Sequence, residues 1–167
     1  MSDTAHLHHP FEPVYDQDSR ILILGSFPSA KSREINFYYG HPQNRFWPLI
    51  AALTSEPVPT DIASKRALLL KHHIALWDVI AQCTITGSSD TSIKDVQVND
   101  FSTLLKKAPI TNIFANGAKA YELYQKYAYG ITNQECIKLP STSPANAAWN
   151  MDRLRGAWSI ILDDIKI

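Results

Sequence analysis

Arg20-Ile21-Leu22-Ile23-Leu24-Gly25 is a run of four large aliphatic residues closed by a glycine. It carries no polar alternate, so both of its faces need cover, as in a buried parallel strand. Residues 74–80, 110–115 and 135–139 read as strands in the same way. Helical patterns lie between these runs. Residues 44–53 form one, with Pro48 tolerable in the first turn. Residues 60–72 form another, with Thr60 as N-cap and Asp61 in the first turn. Residues 99–107 and 118–127 follow. A last helix places Met151, Leu154, Trp158, Ile161, Leu162 and Ile165 on one face, as core. Strands alternating with helices predict an α/β protein: a three-layer α/β/α sandwich around a central four-stranded parallel sheet. A chain of 167 residues fits a single domain spanning 1–167.

Sixteen basic and sixteen acidic side chains give a formal net charge of zero, so no global field draws the chain to polyanions, and an anionic partner has to meet a local basic patch. Two cysteines, Cys83 and Cys136, exclude a disulfide framework and a four-cysteine metal site. Free thiols and the lack of an apolar run near the N-terminus point to the cytoplasm. No apolar stretch is long enough to span a bilayer. His6, His8 and His9 read as a solvated end rather than a metal site, and no metal or organic cofactor is expected.

In parallel sheets ligands sit beyond the carboxyl ends of the strands. The first such loop, Gly25-Ser26-Phe27-Pro28-Ser29, is neither a dinucleotide fingerprint nor a P-loop. A second group, Tyr38-Tyr39-Gly40-His41-Pro42-Gln43-Asn44-Arg45-Phe46-Trp47, crowds aromatics, an amide and a guanidinium into ten residues. Aromatic faces can stack on bases, amides can bond base edges, and arginine can hold phosphate. Phe46 and Trp47 read as core. The third, Leu139-Pro140-Ser141-Thr142-Ser143-Pro144-Ala145-Asn146, sets small hydroxyl residues between prolines, a loop suited to phosphate.

These stretches, taken in order, resemble the uracil-DNA glycosylase superfamily. The ordered set is strand, G-S-F-P-S, H-P-Q-N-R-F-W, L-W-D-V, strand, N-G, strand, and P-S-T-S-P. It is most similar to the branch described as hypoxanthine-DNA (DNA-deoxyinosine) glycosylases. The resemblance implies a monofunctional enzyme, acting as a monomer on DNA with deaminated bases. It would flip out the base, hypoxanthine foremost, and hydrolyse its N-glycosidic bond. A mismatch-type uracil-DNA glycosylase and a non-catalytic damage-binding protein are the alternative readings.

Position by position, the resemblance implies the following roles. The first loop of relatives carries an Asp or Asn that orients water, where this chain has Phe27. A ring cannot do that, and Asn44 is the candidate to take over catalysis. Ser29 stands where strict uracil enzymes have a blocking Tyr, so the pocket admits a larger base. Tyr39 would stack on the flipped base. Asp78, where several relatives keep an amide, would read its edge. Ser26, Phe27 and Asn116 would line the base pocket. Arg45, Pro140, Ser141, Thr142 and Ser143 would contact DNA, with Ser143 at the position of the relatives' wedge.

Overall fold

The computed structural model describes residues 4–86 and 93–165. Strands β1 (Thr4–His8), β2 (Ile21–Gly25), β3 (Ile74–Asp78), β4 (Ile80–Thr86), β5 (Lys94–Val98), β6 (Asn112–Asn116) and β7 (Cys136–Leu139) alternate with helices. The longer helices are α2 (Phe46–Thr54), α3 (Ile62–Lys71), α4 (Phe101–Lys107) and α7 (Met151–Trp158); the shorter are α1 (Ala30–Ile35), α5 (Ala118–Leu123), α6 (Tyr129–Thr132) and α8 (Leu162–Ile165). The expected parallel sheet is present with order β3-β2-β6-β7. Strand β2 pairs in parallel with β3 and β6, and β6 with β7.

Side-chain alternation along β2 builds the layers. Ile21 and Ile23 face a core of Phe46, Trp47, Leu49, Ile50, Leu154 and Trp158. Leu22 and Leu24 face the opposite core with Phe101, Leu104, Leu123 and Tyr124. All four are fully buried, which explains why the strand carries no polar alternate.

A second, antiparallel sheet of order β1-β4-β5 was not expected. The apolar run 74–80 was read as one strand. The chain instead leaves the parallel sheet at Asp78, and Ile80 begins a strand of the second sheet. Asn99 braces this change of sheet, its Nδ2 donating to the carbonyls of Asp78 (2.8 Å) and Ile80 (3.3 Å). The N-terminal segment is therefore not a solvated end: β1 pairs with β4.

Helix boundaries shift in ways the caps explain. Asp61, not Thr60, caps α3, and Ser64 completes a capping box. Asp100 caps α4, leaving Asn99 to its bracing role. The expected helix 118–127 becomes α5, a π-helical turn Tyr124–Ala128, and α6. Buried Tyr124 fixes that turn, its hydroxyl meeting Thr132 Oγ1 and the Gln134 carbonyl (2.6 Å).

Candidate active site

Every loop at the carboxyl edge of the parallel sheet contributes to one cleft of about 510 Å³. From β2 come Gly25, Ser26, Phe27, Pro28 and Ser29; from β3 comes Asp78; from β6 come Asn116 and Gly117. The loop after β7 supplies Ser141, Thr142 and Ser143, and the segment before α2 supplies Tyr39 and Asn44. The ends of β2 and β3 are tied by Val79 and Ile80 N–H groups donating to the Gly25 (2.8 Å) and Ser26 (3.0 Å) carbonyls.

Asp78 lies on the cleft floor and is only 3% exposed. Its Oδ2 meets His9 Nε2 at 2.8 Å, and its Oδ1 has no hydrogen-bond partner among the described residues. Gly25 sits against it: a Cβ there would collide with Asp78 Oδ1 and lie 3.2 Å from the Tyr39 hydroxyl. Glycine is thus required because two polar side chains close on that backbone position.

Tyr39 adopts a left-handed backbone, φ 53°. Its ring stacks on Phe46, centroids 4.2 Å apart, so one face is already covered. Its hydroxyl is buried near the Asn116 side chain and makes no well-formed hydrogen bond among the described residues. Burial, reinforced by the Asp78 carboxylate, pushes that hydroxyl well above the usual phenol range, so it stays a donor.

Asn44 Oδ1 accepts from the Phe46 N–H at 2.9 Å and from the Thr142 hydroxyl at 2.8 Å. An N–H must donate to an oxygen, so the orientation of the amide is fixed. Thr142 is in turn held by Asn116: its N–H donates to Asn116 Oδ1, and Asn116 Nδ2 donates to its hydroxyl, both at 3.0 Å. The chain Asn116–Thr142–Asn44 leaves Asn44 Nδ2 without a partner among the described residues, on a residue that lines the cleft.

Two of the expected DNA contacts, half-buried Arg45 and buried Thr142, are engaged by groups of the protein itself. Arg45 turns its guanidinium into the loop after β7, donating to the carbonyls of Thr142 (3.4 Å), Ser143 (2.8 Å), Asn146 (3.0 Å) and Trp149. Donors spent on carbonyls are not available to phosphate. Thr142 is fully buried and serves the amide chain. Pro140, Ser141 and Ser143 remain accessible in part. Ser141 Oγ and Ser143 Oγ accept from the Ser143 and Ala145 N–H groups, which shape the loop. Pro140 gives its carbonyl to Trp158 Nε1 at 2.9 Å. Ser29 caps α1 through the Ser32 N–H. Phe27 is 8% exposed and lies between His9 and the Arg33 guanidinium.

Arg33, which the sequence places beside the motif loops as part of a candidate basic patch, lines the cleft. Sequence reasoning missed Lys119, which also lines it, and His9, which holds its floor. Lys119 follows the Asn116-Gly117 turn by two residues, which was a usable signal. His9 had none, since Asp78 lies 69 residues away. Among the described residues, no group of three or more His, Cys, Asp or Glu is placed to hold a metal.

A family model described as the uracil DNA glycosylase superfamily matches residues 12–162. The chain belongs to that superfamily. It is 39% identical over 145 residues to a protein named hypoxanthine DNA glycosylase from Methanosarcina acetivorans, covering 86% of this chain and 90% of the relative. A protein of the same name from Methanosarcina barkeri is 40% identical over 114 residues, covering 67% of this chain and 72% of the relative. A solution NMR structure from Methanosarcina acetivorans, assigned provisionally as a uracil DNA glycosylase, superposes with a TM-score of 0.78. That pair is 36% identical, over 91% of this chain and 94% of the other.

Proposed function

We propose that this superfamily member is a monofunctional DNA glycosylase that removes deaminated bases, hypoxanthine foremost, and leaves an abasic site. The names of the two Methanosarcina relatives support the lesion. The observation that carries the reading is the pair of groups beside Gly25: a buried phenol and a carboxylate oxygen, neither with a hydrogen-bond partner among the described residues. Hydrolytic deamination turns an amidine edge into a lactam edge. Hypoxanthine and uracil both present a ring N–H donor beside a carbonyl acceptor, whereas adenine presents an acceptor beside an amino donor. Asp78 Oδ1 accepts the ring N–H and Tyr39 donates to the carbonyl. The same pair mismatches adenine, and leaving buried polar groups unpaired is what gives such sites their discrimination. Tyr39 then reads an edge rather than stacking.

Excision breaks the bond from C1′ of the sugar to the base nitrogen. The electron pair leaves with the base, the oxygen of water bonds to C1′, and one water proton is released. Negative charge therefore grows on the base. Asn44 has spent its carbonyl on Phe46 and Thr142, so it serves as a donor: Nδ2–H stabilises the departing base, aimed in advance by Thr142 and Asn116. The small Ser29 leaves room for a purine, and Pro140, Ser141 and Ser143 lie where the strand would pass. The flip itself costs least at a mispaired base. We take the protein to act as a monomer, one domain throughout, in the cytoplasm. Its buried free thiols support a reducing compartment. Among the described residues no helix is long and apolar enough to cross a membrane.

The test is a panel of oligonucleotides carrying hypoxanthine, uracil, xanthine or oxanine opposite each base, assayed under single turnover for alkali-labile sites. Release of hypoxanthine with adenine left intact is expected. Binding of every lesion with release of none would make the protein a damage sensor.

A further inference from the structure

His9 lies ahead of the segment matched by the superfamily model, yet its imidazole reaches the floor of the cleft. The residue follows β1, and its N–H donates to the Ala81 carbonyl at 2.7 Å, which locks it to the second sheet. The ring is packed edge-on against Phe11 and Phe27, centroids 4.6 Å and 6.1 Å away, and tilted against Tyr38. Its side chain is 4% exposed and that of Asp78 5%. Among the described residues the ring has one polar partner: Nε2 is 2.8 Å from Asp78 Oδ2, while Nδ1 is buried without one.

We infer that His9 is a positioning residue for base recognition, pinning Asp78 so that its free oxygen meets the ring N–H of a lactam base. The inference rests on the reading of Asp78 given above. Among the described residues His9 supplies the side-chain hydrogen bond to that carboxylate. The contact holds Oδ2 on the imidazole and leaves Oδ1 beside Gly25. A carboxylate released from it can swing Oδ1 out of line with the ring N–H of the base. The second sheet thereby acquires a role in specificity: β1 and β4 carry His9 to a cleft built by the parallel sheet.

The test compares wild type with His9→Phe, His9→Gln, Asp78→Asn and the double variant His9→Phe/Asp78→Asn. Single-turnover excision of hypoxanthine is read alongside affinity for a duplex holding a tetrahydrofuran abasic analogue, which has no base to recognise. His9→Phe should lower excision by about 10²-fold, the scale of a misplaced reacting group, with affinity for the abasic duplex unchanged. His9→Gln retains an N–H donor and should recover most of the rate. The double variant should match Asp78→Asn, because His9 has nothing left to position. Excision by His9→Phe within threefold of wild type overturns the inference while leaving the Asp78 reading intact. A wild-type rate in Asp78→Asn overturns the Asp78 reading itself. If His9→Phe does not fold, the double variant decides, since it contains no buried carboxylate to leave unpaired. Equality with Asp78→Asn supports the inference, and a further loss overturns it.

Discussion

Asn44 shows how one side chain can be read two ways from sequence and resolved by its hydrogen bonds. An asparagine ahead of a helix is a favoured cap, and its Oδ1 does take the Phe46 N–H. The same oxygen also takes the Thr142 hydroxyl, which leaves the amide nitrogen as the group for chemistry. Asn44→Asp separates the two uses. It keeps the oxygen that takes the Phe46 N–H at the start of α2 and replaces the donor by a second oxygen that repels a departing anion. Excision should fall by roughly 10²–10³-fold, as for a lost oxyanion donor, with the melting temperature nearly unchanged. Asn44→Ala should show the same loss of rate and, in addition, about 1 kcal/mol of destabilisation from the lost hydrogen bonds. Single-turnover kinetics and thermal melts read both, and rapid excision by the Asp variant would return Asn44 to a purely structural role. The position of Asn44 was legible in its motif. The direction in which its amide points was not, because Thr142 lies 98 residues further along the chain. Arg45 failed to read for the same reason. A guanidinium next to a candidate DNA loop suggests phosphate, and only the folded chain brings four carbonyls around it.

Elements were legible where local sequence sufficed. The four parallel strands are short apolar runs whose two faces both meet core, so burial wrote itself into composition. The antiparallel sheet left no such mark. In β1 exposed His6 and His8 flank Leu7, and β5 alternates exposed and half-buried residues, patterns that a polar tail or a loop shares. Its existence depends on pairing β1 with β4, over 70 residues apart. The loop after β7 depends equally on distance, for Arg45 holds it by carbonyls from Thr142 to Trp149. A lysine cannot reproduce that fork. Arg45→Lys should therefore cost about 1–3 kcal/mol through carbonyls left unpaired. Amide hydrogen exchange should quicken across residues 141–149 while the β2–β6 amides keep their protection. A variant with unaltered exchange in that loop would show that Pro140 and Pro144 hold it without the arginine.

At the scale of the whole molecule, zero net charge has to be reconciled with a polyanionic substrate, and the reconciliation lies in where the cations stand. Half-buried Arg45 donates to carbonyls of the loop after β7, and Arg153 lies over the Trp149 ring at 4.2 Å with its Nη1 donating to the Ala148 carbonyl. Arg33 and Lys119 line the cleft from α1 and α5, which follow β2 and β6, and Lys31 and Lys138 are exposed near the motif loops. Each cation that meets a phosphate displaces condensed counterions, so affinity should fall linearly with log salt at a slope set by the number of contacts, about 0.9 for each phosphate. Binding to a deoxyinosine duplex should accordingly weaken steeply between low and moderate salt, although the protein as a whole is neutral. Lys119→Ala should reduce that slope by about 1 and weaken lesion-bearing and undamaged duplexes alike, because a phosphate contact carries no base information. Asp78→Asn should do the reverse, leaving the slope intact while removing the preference for the lesion. Fluorescence anisotropy titrations over a salt series read both quantities. A slope unchanged in Lys119→Ala would place the phosphate path along Arg33 and Lys31 instead.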